Sequence, residues 1–284
     1  MSAGGHPDGN GHIDLKTRDA RDAILSRFAA LKRMILVIDV GNTRLKWGWL
    51  DGTRLSEQQA VVHREVKPEL WSGEIFEAQH HPDRVLISNV AGDAMAKTLH
   101  DLTLATYEVP PEFIIPTRSF HELTNGYLNP ALLGPDRWLA VIGAWNLAHD
   151  ALCVVDAGTA VKVDSVNAHG QHLGGLIIPG IHMMRDSLLN KTAGVAKSMA
   201  GSTPSTAGVL ADNTISAVSR GAVVAAASMA DRAAQLIEQS TGEHPRLFIT
   251  GGDAELIFDS MQARGEIVPD LVLQGIAVIA EQTA

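Results

Sequence analysis

The feature that most limits the possible folds of this 284-residue chain is one short unit that occurs twice. Residues 34–50 read MILVIDVGNTRLKWGWL, and residues 151–166 read ALCVVDAGTAVKVDSV. Each segment has an apolar run that ends in Asp, a turn that contains Gly, and a second alternating run, which predicts a β-hairpin. Because the two turns begin at Asp39 and Asp156, 117 residues apart, the repeat predicts two similar α/β lobes.

The remaining pattern divides the chain into an N-terminal extension and the two lobes. We place the extension at residues 1–33, the N-terminal lobe at 34–148 and the C-terminal lobe at 149–284. Within the extension, the Gly-rich start predicts disorder and residues 14–33 predict a helix. Elsewhere we expect strands at 84–90, 106–110, 174–180 and 246–250, a structured loop at 113–135, and helices at 136–149, 216–240 and from about 272 onward.

Charge and cysteine content restrict the class of protein. The formal net charge is −9 and no run of five Lys or Arg occurs, so we expect no nucleic-acid partner. A single cysteine, Cys153, allows no intramolecular disulfide, which fits a reducing cytosol, and its apolar surroundings predict a buried strand residue. The sequence has no apolar stretch long enough for a membrane span, so we expect a cytoplasmic protein without a membrane partner.

The first turn has the residue types of a phosphate-binding loop. Gly41 lacks a Cβ, so a phosphate can approach the backbone N–H groups. Asn42 and Thr43 add side-chain donors, Lys46 can return a positive charge from the next strand, and Asp39 can hold Mg²⁺ directly or through water. An ordinary hairpin turn with a polar cap would look the same. The candidate ATP-binding residues of this turn are Asp39, Val40, Gly41, Asn42, Thr43, Arg44, Leu45 and Lys46.

Two further turns have related chemistry. The segment from Asp156 to Ala160 again places a carboxylate at a strand end before a Gly-Thr turn. Two such turns at matching positions of a repeat can hold a polyphosphate between two lobes. Gly251 and Gly252 follow the strand at 246–250, where a base or ribose can lie against the backbone, although a plain strand-to-helix turn is the alternative.

A fourth segment, around Asp136 and Arg137, has residues suited to an acceptor side, that is, the site of the compound whose hydroxyl receives the phosphoryl group. Asp136 follows the Gly-Pro pair at 134–135 and is well placed to cap a helix, which is its structural explanation. Transfer of a phosphoryl group to a hydroxyl also needs a carboxylate near the attacking oxygen. Asp136 suits that role if the turns hold the phosphoryl donor.

From Met34 onward, about 250 of 284 residues, the chain resembles type III pantothenate kinase, the form related to the Bvg accessory factor proteins. The resemblance rests on an ordered set of motifs. They are IDVGNTRLKWGW, NGYLNPALLGPDRW, VVDAGTA, GGLIIPGIHMM, the pair Thr192-Ala193, DNT at 212–214 followed by ISAVSRGA, and FITGGDA.

The resemblance implies two ribonuclease-H-like lobes, as in actin, Hsp70 and the sugar kinases. It implies ATP-dependent phosphorylation of pantothenate to 4′-phosphopantothenate, the first step of coenzyme A biosynthesis, with Mg²⁺ and an activating monovalent cation, K⁺ or NH₄⁺. On the donor side it assigns ATP contacts to Asp39–Lys46 and Thr159, and the monovalent cation to Asp156.

On the acceptor side, the resemblance assigns the general base to Asp136. It also implies a homodimer whose pantothenate site lies at the subunit interface, with Thr214 as a further pantothenate contact. The implied pantothenate-binding residues are Tyr127, Gly134, Pro135, Asp136, Arg137 and Thr214.

The sequence departs from the family pattern at Lys162, where the motif that begins at Asp156 commonly has Thr. This extra cation can assist ATP binding, compete with the monovalent cation, or face away from the site. Residues 1–33 have no family counterpart. Two other functions stay open at this point: a nucleotide-binding accessory factor for transcription, and a kinase that acts on another small hydroxyl compound.

Overall fold

The computed structural model describes residues 33–63, 71, 81–192 and 210–283. The disorder predicted at residues 1–12 and the helix predicted from residue 14 lie outside these ranges. Within them, no helix is both long enough and apolar enough to cross a membrane.

The described residues form thirteen strands and six α-helices. The strands are β1 (Met34–Val40), β2 (Arg44–Asp51), β3 (Arg54–Leu55), β4 (Gln59–Val62), β5 (Arg84–Asn89), β6 (Pro111–Phe113), β7 (Ser119–Phe120), β8 (Leu123–Thr124), β9 (Leu152–Ala157), β10 (Ala160–Val166), β11 (His172–Pro179), β12 (Arg246–Thr250) and β13 (Glu266–Ile267). The helices are α1 (Asp93–Tyr107), α2 (Pro135–Ala148), α3 (Ile181–Lys191), α4 (Thr214–Thr241), α5 (Ala254–Phe258) and α6 (Leu271–Gln282).

Two large sheets share one topology. The first has the order β3-β2-β1-β5-β6, with β4 also paired to β2, and the second has the order β11-β10-β9-β12-β13. In each sheet the first long strand is antiparallel to the hairpin partner that follows it and parallel to a later strand. This is the ribonuclease-H-like arrangement, so the predicted fold of two such lobes is confirmed.

The sheets pack in layers that also define the site. Helices α2 and α6 lie between the two sheets, in one core with Val37 of the first sheet and Val154 of the second. Helix α1 covers the outer face of the first sheet, and α4 covers the outer face of the second. The predicted helices at 136–149, at 216–240 and after 272 therefore form the inner and outer helical layers.

The alternation of side chains along a strand directs Asp39 and Asp156, the aspartates before the two turns, toward the space between the sheets. Successive side chains of a strand point to opposite faces. Asp39 points to the same face of its strand as Ile35 and Val37, and Asp156 points to the same face as Leu152 and Val154. These four apolar side chains pack in the inner core. Both carboxylates therefore face the cleft between the lobes, at the ends of β1 and β9.

The strand predicted at 106–110 is wrong. Tyr107 is the last residue of α1, the left-handed residue Glu108 (φ 59°) ends the helix, and the next strand begins only at Pro111. Leu99, Thr103 and Tyr107 are buried at four-residue steps, so the helical face continues through the segment that looked extended.

Candidate active site

The first two turns meet across the cleft. In the first, the Gly41 N–H donates to the Arg44 carbonyl at 3.0 Å, and in the second the Gly158 N–H donates to the Ala160 carbonyl at 3.1 Å. The hydroxyl oxygens of Thr43 and Thr159 lie 3.0 Å apart. Two turns separated by more than a hundred residues thus present their hydroxyls and backbone to one small volume.

The third turn lies beside the other two. Gly251 has φ +98°, and a Cβ there would lie 2.3 Å from the Ala157 carbonyl oxygen, so a side chain would force this turn away. The Asp253 N–H donates to the same carbonyl at 3.0 Å. A Cβ at Gly252 would lie 3.4 Å from the Arg44 guanidinium. The structure therefore brings Gly251 and Gly252 next to both turns that are predicted to bind phosphate.

Asp39 is a buried carboxylate in an unfavourable electrostatic position. Burial and the negative charge of Asp136 raise its pKa to about 6, against the opposing influence of Lys46, which lies across from it on β2. Its Oδ1 atom has no hydrogen-bond partner within the part of the chain that the structure describes. A cation near this oxygen would relieve both conditions.

These properties fit Mg²⁺ that arrives with a nucleotide. Mg²⁺ is usually held by one or two carboxylates together with substrate phosphates, and seldom by an all-protein cage. Among the described residues, no group of three or more His, Cys, Asp or Glu side chains could hold a metal ion. Asp39 offers an unpaired carboxylate oxygen at the phosphate turn, so the donor set is suited to a metal–nucleotide complex.

Asp136 is the second residue of α2, and the Lys162 side chain connects it to the second turn. Pro135 occupies the first turn of the helix, where its missing N–H is not needed. Asp136 Oδ1 accepts the backbone N–H of Arg137 at 2.8 Å, and its Oδ2 accepts the Lys162 ammonium at 2.8 Å. At Gly134, a Cβ would lie 2.6 Å from Asp136 Oδ1, so the glycine leaves room for this carboxylate orientation.

The same ammonium contacts Asp156. Lys162 on β10 is directly opposite Asp156 on β9, and its Nζ lies 2.6 Å from Asp156 Oδ2. Burial alone would lower the pKa of Lys162, but the charges of Asp156 and Asp136 outweigh it and raise that pKa above its ordinary value. Lys162 therefore faces the site, which excludes the alternative that it points away. Because a positive charge already lies against Asp156, the residues there do not fit a further monovalent cation.

Arg137 forms a buried network behind Asp136. Its guanidinium donates to both Asp164 oxygens, at 2.8 and 2.6 Å, and to the Tyr127 hydroxyl at 2.7 Å. His172 Nε2 donates to Asp164 at 2.9 Å, and the Tyr127 ring stacks on the His172 ring. Burial would raise the pKa of Asp164, but hydrogen bonds from His172 and Arg137 lower it below its ordinary value.

Asp164 and His172 were not among the residues that the sequence predicted for the site. A signal for Asp164 was present, because Asp136-Arg137 at the helix start is complementary in charge to Lys162 and Asp164, which share one face of a strand. For His172 we find no signal in the sequence, since its role depends on the pairing of β11 with β10.

Thr214 lines a cavity that the other predicted substrate residues do not line. It is the first residue of α4, next to the helix cap Asn213, whose side chain accepts the Ser216 N–H. Thr214 lines a cavity of about 870 Å³ whose walls come from Pro179 and from residues of α3, α4 and the segment before α4. Tyr127, Asp136 and Arg137 are not among its lining residues.

Known proteins of one family are similar to this chain over most of its length. The family model described as type III pantothenate kinase matches residues 35–280. A type III pantothenate kinase of Azoarcus sp. is 40% identical over 254 residues, 88% of this chain and 92% of that protein. One of Nitrosococcus oceani is 33% identical over 256 residues, 88% of this chain and 95% of that protein.

Solved structures show the same fold at low sequence identity. Component A of (R)-2-hydroxyglutaryl-CoA dehydratase from Acidaminococcus fermentans gives a TM-score of 0.53 at 16% identity, covering 89% of this chain and 99% of that one. The ethanolamine utilization protein EutJ from Carboxydothermus hydrogenoformans gives 0.50 at 12% identity, covering 86% and 88%. Such identities bear on the fold alone.

Proposed function

Because the chain belongs to the type III pantothenate kinase family, we propose that it transfers the γ-phosphoryl group of ATP to the hydroxyl of pantothenate, with Asp136 as the general base. The products are ADP and 4′-phosphopantothenate. One observation supports these roles above all: a single ammonium, that of Lys162, contacts both Asp136 and Asp156. The carboxylate of the acceptor side thus lies next to the turn of the donor side.

The donor side is formed by the two facing turns. Their backbone N–H groups and the hydroxyls of Thr43 and Thr159 are the donors for the phosphate oxygens, and Lys46 and Arg44 add positive charge. Gly251 and Gly252 leave space for the nucleoside. We assign Mg²⁺ to Asp39, where it would neutralise charge on the β- and γ-phosphate oxygens.

On the acceptor side, Asp136 accepts the proton of the attacking hydroxyl. The new O–P bond forms as the bond between the γ-phosphorus and the β–γ bridging oxygen breaks, and ADP carries away the electron pair. The proton passes to Asp136 and then to solvent. Because Asp136 is held by the Arg137 N–H and by Lys162, its carboxylate is oriented before the substrate arrives.

Tyr127 and Arg137 have different tasks in this scheme. The Arg137 guanidinium is already bonded to Asp164 and to the Tyr127 hydroxyl, and its side chain is only 7% exposed. We assign Arg137 to positioning Tyr127 and the start of α2, and Tyr127 to the pantothenate contact itself.

Because Thr214 lines a cavity that Tyr127, Asp136 and Arg137 do not line, we infer a homodimer in which a second copy completes the acceptor site. Apolar side chains of β11 and α3 are exposed in the isolated chain, among them Leu176, Ile177, Met183 and Leu188. Exposed apolar side chains of this kind are common at interfaces, and in a two-fold dimer each copy contributes the same residues. Thr214 at the nearby end of α4 would then reach the site of the partner.

Mixing two inactive variants tests this arrangement. Asp136→Asn removes the base, and Thr214→Arg blocks the contact supplied by the other copy. If each site combines residues of two copies, refolding the variants together restores one intact site in each mixed dimer, or about a quarter of wild-type activity. No recovery in mixed dimers that form normally would contradict the shared site.

An acceptor screen tests the activity. ADP release should depend on pantothenate and should be absent with sugars and with other small hydroxy acids. Release of ADP with another acceptor in preference to pantothenate would reassign the loop from Asn125 to Arg137.

A further inference from the structure

We propose that Lys162 takes the place of a monovalent cation at Asp156, so that phosphoryl transfer by this chain requires neither K⁺ nor NH₄⁺. Lys162 also positions the general base Asp136. The activity measurements below rest on the proposed function, whereas the binding measurement does not.

The first support is the location of the ammonium. Lys162 Nζ lies 2.6 Å from Asp156 and 2.8 Å from Asp136, and its side chain is only 18% exposed. A free cation bound to Asp156 would have to share that carboxylate with a positive charge at contact distance. Like charges at such a distance repel strongly, particularly where water is partly excluded.

The second support is the backbone register. Lys162 and Asp156 are directly opposite residues of an antiparallel pair, so their side chains leave the sheet on the same face. The first lobe has the same relation, because Lys46 is opposite Asp39. In each lobe a lysine is therefore paired with the aspartate before the turn, and the sheet holds the Cα of Lys162 near the site.

The third support is the charge that needs compensation. Asp136 and Asp156 lie 2.8 and 2.6 Å from one ammonium, that of Lys162, so their two negative charges are close together in the cleft. Lys162 neutralises part of this charge before any ligand binds. Unlike a free ion, it is covalently attached, and its bond to Asp136 links the donor turn to the base.

The wild-type protein gives the first test. Pantothenate-dependent ADP release is measured at equal ionic strength in choline, sodium, potassium and ammonium chloride. We expect the four rates to agree within about twofold, since the charge is supplied by the chain. Activation of about tenfold or more by K⁺ or NH₄⁺ over choline would overturn the proposal.

Substitution of Lys162 gives the second test. Lys162→Thr removes the charge and leaves space, so this variant should be at least about tenfold slower in choline and should recover when K⁺ is added. Lys162→Met removes the charge but fills the space, so it should stay slow in every salt. Lys97→Thr, at an exposed position of α1, is the matched control and should behave as wild type. A Lys162→Thr variant that is fully active in choline, or that K⁺ fails to restore, would contradict the proposal.

Thermal unfolding gives a measurement that does not depend on turnover. Binding of K⁺ to the folded state should raise the Tm of Lys162→Thr relative to choline, while the wild-type Tm should be the same in both salts. Specific stabilisation of the wild type by K⁺ would overturn the proposal.

If the wild type releases no ADP with pantothenate in any salt, the proposed function fails, and the Tm comparison still decides the cation question. If Lys162→Thr does not fold, the two wild-type comparisons decide it.

Discussion

At the scale of single residues, three aspartates of the cleft differ by their surroundings. Asp39 is buried with one unpaired oxygen, whereas Asp136 and Asp156 share the Lys162 ammonium. A carboxylate with an unpaired oxygen is suited to bind an incoming cation, and one that is held in place is suited to accept a proton in a fixed direction. The motif alone does not distinguish these roles, because all three residues follow or precede a glycine turn.

Asp39→Asn should stabilise the protein in the absence of nucleotide and Mg²⁺. The pKa of Asp39 is raised from 3.8 to about 6, so the folded state binds the proton more tightly than the unfolded state does. The resulting stabilisation of the folded protein is present below about pH 4 and is lost as the pH rises through about 6. Ionised Asp39 then costs at most about 3 kcal/mol, and we expect the variant to gain about 1 to 3 kcal/mol near neutral pH. Urea unfolding at about pH 4 and pH 7.5 measures the difference.

The control for this prediction is Asp51→Asn, which changes an exposed carboxylate at the end of β2. It should alter the free energy of unfolding by less than about 0.5 kcal/mol at either pH. Destabilisation by Asp39→Asn of equal size at both pH values would contradict the account of Asp39.

Cys153 should not react with thiol reagents in the folded protein. Burial raises the pKa of its thiol to about 12, and the residue is the second of β9. Because it is the chain's single cysteine, labelling with a maleimide reports on this one position. Modification should be complete in urea and negligible in buffer, and rapid labelling of the native protein would show that β9 is accessible.

At the scale of elements, the start of α2 is joined to β10 by two ion pairs of opposite sense. Asp136 pairs with Lys162, and Arg137 pairs with Asp164. Two adjacent residues of a helix thereby meet two residues on one face of a strand. This contact fixes the proposed base relative to the second turn, and Gly134, which immediately precedes the helix, leaves room for the Asp136 carboxylate.

Asp164→Asn should destabilise the fold, because it leaves the buried Arg137 guanidinium without its charged partner. We expect a loss of about 3 to 5 kcal/mol near neutral pH. Since the pKa of Asp164 is lowered, its stabilisation is present above about pH 4 and is lost at lower pH, so the difference from wild type should shrink below pH 4. Tyr127→Phe, which removes one hydrogen bond, should lose about 1 kcal/mol.

Urea unfolding at several pH values measures both variants. A difference between Asp164→Asn and wild type that stays constant down to about pH 3 would contradict the assigned ion pair.

The elements that the sequence predicted well are those defined by local pattern. The hairpins at Asp39 and Asp156, helix α2 and the Ala-rich helix α4 follow from periodicity and turn residues. The error at Tyr107 arose because Val109 and Pro110 look extended, although the helical face of α1 continues to Tyr107. The charges of Lys162 and Asp164 complement those of Asp136 and Arg137, but local pattern does not determine their pairing, which depends on contacts between β10 and a helix about 26 residues away.

At the scale of the whole molecule, the repeat predicted two lobes, and the two sheets have the same strand order. The inner layer was not foreseen, because α6 at the C-terminus packs with α2 between the sheets. The boundary near residue 148 stays a prediction. A completed acceptor site, in this account, also needs Thr214 of a second copy.

Ile177→Glu should convert the proposed dimer into monomers. Ile177 is 57% exposed in the isolated chain, and it lies opposite Lys162 on β10, so the variant is judged by its mass and not by its activity. A buried charge at an interface is unfavourable, so light scattering should give about 60 kDa for wild type and half that mass for the variant. Leu256→Glu, at an exposed apolar position of α5, is the control and should leave the mass unchanged. Wild-type monomers with full activity would contradict the shared site.

The most direct test of the central claim is to measure 4′-phosphopantothenate by mass spectrometry after incubation of wild type and Asp136→Asn with ATP, Mg²⁺ and pantothenate. We expect product from wild type and a kcat at least about 100-fold lower for the variant, with the KM for ATP changed by less than about threefold. Absence of product from wild type would contradict the proposed activity, and equal rates for the two proteins would contradict Asp136 as the general base.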